Sequence, residues 1–143
     1  MKVFIYRNLH KEGNVYSLKC MEGPMKGKVI GHAHGIYLEN CRLIVSEAGR
    51  QRVLKEKRKN VHAGIVGDLV AVAGYQTRIH IAKLAKSLVQ YNDENWLKTF
   101  AAGTPVTYNP FLYTSFVIKG SNTPIYKAKK ITFFHQRVEA LET

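Results

Sequence analysis

The stretch Ser46–Gly67, SEAGRQRVLKEKRKNVHAGIVG, constrains the fold most, because it changes structural character half-way along. Ser46 has N-cap chemistry, and Glu47 puts an acid in the first turn, where the helix dipole favours it. Gln51, Val53, Leu54 and Lys55 continue with residues a helix accepts. Six basic residues (Arg50, Arg52, Lys55, Lys57, Arg58, Lys59) then face one acid, Glu56. At about 100° per residue, Val53 and Leu54 point the same way as Arg50 and Lys57, while Arg52, Lys55 and Lys59 point away. A basic helix is therefore expected over 46–60, ended by Asn60-Val61-His62. Its outward cations read as a solvated face. Arg50 and Lys57, beside the apolar stripe, must snorkel outward or meet an anion. Ala63–Ala73 is apolar and β-branched, and reads as a strand entering the core.

Around this stretch the pattern is mainly β. Val3–Tyr6, Val15–Met21, Lys28–Ala33 and Ile36–Val45 read as strands of an antiparallel meander, with His34-Gly35 as a tight connection. Past Gly74 the period changes to helical. Ile81, Leu84, Ala85 and Leu88 share one face, and Trp96, Leu97, Phe100 and Ala101 follow the Asn92-Asp93 cap signal. Val106–Lys119 and Ile125–Phe134 read as a hairpin closed by Gly120-Ser121-Asn122. The tail from His135 is left as helical or frayed. The expected fold class is α+β: one domain over 1–143, an antiparallel sheet core, one basic helix, and a helical insertion at about 74–104 with its helices near 79–102.

Charge narrows the partners. With 22 basic and 10 acidic residues, the formal charge of +12 points to a polyanion: a nucleotide, a nucleic acid or an anionic surface. The amino terminus carries too short an apolar run for a signal-peptide core, and the run Leu69–Ala73 is too short to span a bilayer. The expectation is a cytoplasmic protein with no membrane partner. Cys20 and Cys41 lack any C-x-x-C spacing and are expected to be reduced, partly buried thiols.

The histidines argue against catalysis. His32-x-His34 has metal-ligand spacing but no third ligand at a convincing position, so no metal is expected. His10 and His62 are a conceivable acid/base pair, yet the paired H-x-[ST] elements of two-histidine phosphodiesterases are absent. A Walker-type loop, a G-x-S-x-G elbow and paired carboxylates are missing as well. The other informative stretch is VTYNPFLYTSFV, Val106–Val117, whose aromatics surround Asn109-Pro110. Aromatic faces stack bases, and an Asn side chain reads a base edge. Together with Arg forks for phosphate, this gives Arg50, Lys57, Arg58, His62, Tyr108, Asn109, Phe111 and Tyr113 as the ligand-binding candidates, with no catalytic residue and no cofactor.

Three stretches resemble one family: Tyr6-Arg7-Asn8-Leu9-His10-Lys11, Gly49–Gly67, and Tyr108-Asn109-Pro110-Phe111 followed by Ser115-Phe116-Val117. The chain is similar to the phage Thoeris anti-defence proteins of the first type. These are sponges that sequester the cyclic ADP-ribose-type signal of a bacterial TIR enzyme. The resemblance implies a non-catalytic, mainly β protein of the host bacterial cytoplasm, assembled as a dimer or hexamer. Its pockets would lie between subunits, and some members hold cyclic oligonucleotides at a separate site. The alternative that the charge alone supports is a basic, sequence-indifferent nucleic-acid binder.

Overall fold

The computed structural model describes residues 1–7, 16–73, 76–77, 103–134 and 137–141. Its strands are β1 (Lys2–Arg7), β2 (Tyr16–Cys20), β3 (Val29–Ala33), β4 (Gly35–Val45), β5 (Ala63–Ala73), β6 (Gln76–Thr77), β7 (Thr104–Thr107), β8 (Val117–Ile118), β9 (Thr123–Pro124), β10 (Lys127–Phe134) and β11 (Arg137–Leu141). Helix α1 (Glu47–Glu56) joins β4 to β5. All described pairings are antiparallel, in the order β6-β3-β2-β1-β5-β4-β10-β11-β7-β8-β9. The class is α+β, an antiparallel sheet with one α-helix among the described residues.

Register shows that the sheet curls. Gly35 pairs with Ala73 between β4 and β5, and His32 pairs with Gln76 between β3 and β6. Both pairs lie in the same register, so β3 and β4 act as one strand, bent at His34, running beside β5 and its continuation β6. β5 also pairs with β1, β1 with β2, and β2 with β3. The strands therefore close on themselves, which removes exposed edges at this end of the sheet. Inside lie Val3, Ile5, Leu18, Ile30, Ile36, Leu38, Ile65, Val72 and Ile131, each no more than 1% exposed. Tyr16 meets Phe133 edge to face at 4.9 Å, joining β2 to β10 across the interior.

Several expectations are corrected. The helix begins where its cap chemistry indicates, with Ser46 Oγ accepting from Gly49 N, but it ends at Glu56 rather than near residue 60. Lys57 adopts φ 55° and closes the last turn through its N–H to Val53 O. Asn60-Val61-His62 therefore lies beyond the helix. His34-Gly35 makes a bend in one continuous strand, because β4 pairs with β5 and β10 and not with β3. The long strand read over 106–119 is interrupted at Asn109-Pro110, leaving β7 and β8 as short pieces. The hairpin turn itself lies as read, with Gly120 and Asn122 at φ 95° and 57° between β8 and β9. The tail is neither helical nor frayed at 137–141; β11 pairs with both β10 and β7. Within the helical insertion expected at 74–104, residues 76–77 form strand β6, while 74–75 and 78–102, which hold the helices expected near 79–102, lie outside the described residues, up to Gly103. There Gly103 N donates to Glu139 Oε2 at 2.9 Å, and β7 begins one residue later.

Burial of two ionisable groups sets an alkaline limit. It pushes the Tyr16 phenol up from 10.0 to about 12 and the Cys41 thiol up from 9.0 to about 12. The folded state thus holds both protons more tightly than the unfolded chain does. Their contribution is complete below pH 9 and is lost as the pH climbs towards 12. Thermal unfolding followed from pH 8.5 to 11.5 should show a steady fall in melting temperature, about in step with both shifts. Cys41 should resist alkylation at pH 8 until denaturant is added.

Candidate functional site

Where β1 ends, β2 begins, β5 begins and β7 ends, the sheet leaves a cavity of about 790 Å³. Its floor is apolar and comes from the interior: Ile5, Tyr16, Ile65, Val106 and Phe133 are all buried. Val53 and Leu54, from the last turns of α1, form one wall. The exposed rim carries Arg7, Lys57, Arg58 and Lys59. No Asp or Glu occurs among the described lining residues. Such a cavity favours a ligand with an apolar or aromatic body and an anionic edge.

The polar centre of the wall is His62 with Tyr108. Ser46 N donates to His62 O at 2.7 Å, which holds the first turn of α1 against the start of β5. Gly49 makes that approach possible, since a Cβ there would sit 2.7 Å from the Cβ of His62. His62 Nδ1 lies 2.9 Å from Asn60 O, an atom that can only accept, so Nδ1 carries a proton. In the neutral ring Nε2 is then the acceptor, and Tyr108 donates its hydroxyl proton to it at 2.7 Å. The two rings also meet edge to face at 5.5 Å, and Tyr108 leans on Phe116 at 5.3 Å. Burial raises the Tyr108 phenol above its ordinary value, opposed by the nearby Arg50 guanidinium and reinforced by Glu47. At neutral pH Tyr108 is therefore a neutral hydroxyl.

The turn after β7 caps itself. Asn109 Oδ1 accepts from Phe111 N at 2.9 Å, and Asn109 O accepts from Leu112 N and Tyr113 N. Tyr113 donates its hydroxyl to Asn122 Oδ1 at 2.8 Å. Arg50 ties this turn to the helix, with Nε donating to Pro110 O at 2.8 Å and Nη1 pairing with Glu47 at 2.9 Å. Hydrogen bonds from Gln51, and then from Arg50, hold the Glu47 carboxyl below its ordinary value. The turn thereby presents Phe111 at the cavity mouth, 71% exposed.

Of the eight ligand-binding candidates, the structure brings five to the cavity: Lys57, Arg58, His62, Tyr108 and Phe111. Arg50, Asn109 and Tyr113 are not among its lining residues, and their polar groups are engaged in holding the turn. Lys59 was read as an outward helical cation, yet it lines the cavity because the helix stops before it. Arg7 and Tyr16 were missed altogether. The signal for them is the hydrophobic alternation of β1, in which Arg7 falls two places after buried Ile5. His32 Nδ1 is hydrogen-bonded with Ser17 Oγ at 3.1 Å, and no metal-binding group of three or more His, Cys, Asp or Glu occurs among the described residues.

The comparisons bear on this arrangement as a whole. The model of the Mycobacterium phage L5 gene 82 protein family matches residues 1–141. The chain belongs to this family. The Gene 82 protein of Mycobacterium phage L5 is 31% identical over 144 residues, covering 98% of this chain and 95% of the relative. The protein is accordingly a phage protein, and the match takes in every element of the cavity. No solved structure matches the chain. No helix among the described residues is long and apolar enough to cross a membrane.

Gly49 offers a test of how the wall is held. Alanine at a helical position is intrinsically better than glycine by about 1 kcal/mol. Overpacking against His62 costs about 1–3 kcal/mol, so the clash should prevail. Gly49→Ala is expected to lower the melting temperature. Exposed Gln51→Ala, which removes a hydrogen bond to Glu47, should change it little.

Proposed function

We propose that this gene 82 family member is a phage anti-defence sponge that binds a cyclic nucleotide immune signal of the cyclic ADP-ribose class and holds it unchanged. The observation that carries the reading is the cavity itself: an apolar, aromatic floor beneath a rim of four cations, with no carboxylate among its described lining residues. Its volume falls within the range of about 300–1,000 Å³ usual for small-ligand sites. Lys57, Arg58, Lys59 and Arg7 would meet the diphosphate, and Tyr108 and Phe111 would flank the base. Each charge-assisted hydrogen bond contributes about 1.5–3 kcal/mol and each stacked base about 1–3 kcal/mol. Several are needed together to offset the entropy of association. The described lining holds one histidine, whose two ring nitrogens are engaged by Tyr108 and Asn60, and this supports the reading of binding without cleavage. The resemblance adds a dimer or hexamer in the host cytoplasm, which light scattering would measure.

The test incubates the protein with the product of the TIR enzyme, denatures the mixture by heat and assays the supernatant. Intact signal is the expected result. A hydrolysed product would make the protein an enzyme, and unaltered free signal before heating would remove the cavity from consideration. Lys57→Ala and Arg58→Ala should each weaken binding by roughly tenfold or more, whereas Lys55→Ala should change it little.

A further inference from the structure

The outward face of the sheet carries a feature that runs beyond the cavity, meeting it only at Tyr6 and Gly64. Register sets one transverse row across five strands: Lys19 pairs with Phe4, Phe4 with Val66, Val66 with Arg42, and Arg42 with Lys127. Directly paired residues share a face, and this face lies opposite that of buried Ile5, Leu18 and Ile65. Phe4 lies over Gly64, where an added Cβ would run into its ring, and its ring centroid is 5.7 Å from that of Tyr6. Gly64 pairs with Ile44, which is itself exposed. The two rings, only partly buried, thus form an aromatic strip one glycine deep, with cations in line on either side.

Those cations are poorly placed for stability alone. Arg42 and Lys127 are exposed, stand directly opposite one another as like charges, and have no ion-pair partner among the described residues. Like charges in that position repel. The acids nearest in register, Asp68 and Glu39, fall in the neighbouring row Lys2–Asp68–Glu39–Lys130, and Asp68 accepts a hydrogen bond from Asn40. That row borders the strip on one side and would turn a polyanion along the Phe4 row. Five strands at about 4.8 Å span about 19 Å, the length of about five stacked nucleotides at 3.4 Å each.

We infer that this face binds single-stranded nucleic acid, with bases stacking on Phe4 and Tyr6 and phosphates meeting Lys19, Arg42 and Lys127. Unpaired bases are required because a duplex hides the faces that the two rings would stack on. The strip adjoins the cavity at Tyr6 and Gly64, which line both, but Lys19, Arg42, Lys127 and Phe4 are not among the cavity's lining residues.

The experiment is fluorescence anisotropy of the full chain with a labelled oligothymidylate of about ten nucleotides, followed through a salt titration. Binding should be tighter than to a duplex of the same length. The double variant Arg42→Gln/Lys127→Gln, both at exposed positions, should bind roughly tenfold or more weakly, with a salt slope reduced by about 1.4 for two lost phosphate contacts. Phe4→Leu should weaken binding at an unchanged slope. Arg52→Gln/Lys55→Gln, on the outer side of α1, should leave affinity and slope as they are. Absence of oligonucleotide binding would overturn the inference, as would equal binding to duplex. An unchanged slope in the Arg42/Lys127 variant, or an equal loss in the α1 variant, would do the same. The Arg42/Lys127 variant should still bind the cavity ligand as the parent does, so failure of one site is distinguishable from failure of the other.

Discussion

The pairing of the bent β3–β4 strand with β5 and β6 is the contact on which everything else rests. It brings β1, β2, β5 and β10 around one interior, and it leaves an open end where those strands start and stop. Close approach makes it possible. At Gly67 a Cβ would meet Glu39 O at 3.0 Å, and at Gly64 it would meet both the Phe4 ring and Ile5 O below 3.0 Å. The strand thus lies near enough for Phe4 to cover it outside while Ile5 packs inside. One glycine serves both faces of the sheet, and the cavity and the outer strip are two results of the same closure.

Helix α1 matters less for its charge than for where it stops. A helix running to residue 60 would hold Lys57, Arg58 and Lys59 on its own cylinder, at three different azimuths. The left-handed residue at Lys57 ends the helix, and residues 58–62, in neither helix nor strand, line the cavity as far as His62. The cations are then presented side by side along one rim. A lysine at φ 55° is unusual, because such a backbone favours glycine or asparagine. Placing a basic residue there keeps charge at the turn where the helix's own carbonyl dipole is negative.

Much of the β framework was legible in the sequence. The alternation of Val15–Met21, the apolar run Ala63–Ala73 and the turn at Gly120-Ser121-Asn122 each carry a local period or a local backbone requirement, and each lies where it was read. The Ser46 cap is legible for the same reason, since a hydroxyl three residues before a free N–H is local chemistry. What could not be read is set by distance along the chain. Nothing within 29–45 says that one strand bends at His34 and serves two neighbours. Nothing near Arg137 says that β10 and β7 will claim it as a strand. The cavity follows this division: Tyr108 and His62 could be named, but their pairing across 46 residues could not.

The same division explains why Arg50 lies outside the cavity lining while Lys57 and Arg58 lie within it. Helical periodicity gave Arg50 the side of the apolar stripe, and the structure does turn it inward, with a side chain only 12% exposed. Periodicity does not say what waits on that side. Here it is a carbonyl, Pro110 O, and the carboxylate of Glu47, which take up Nε and Nη1 of the guanidinium. A cation already paired with a carboxylate of the protein gains less from an anion, because the new bond competes with an old one. Lys57 and Arg58 are exposed and carry no ion pair among the described residues, so an anion at the cavity rim would replace only their solvation. Within a basic run, the residues fit to bind are those the fold has not itself used.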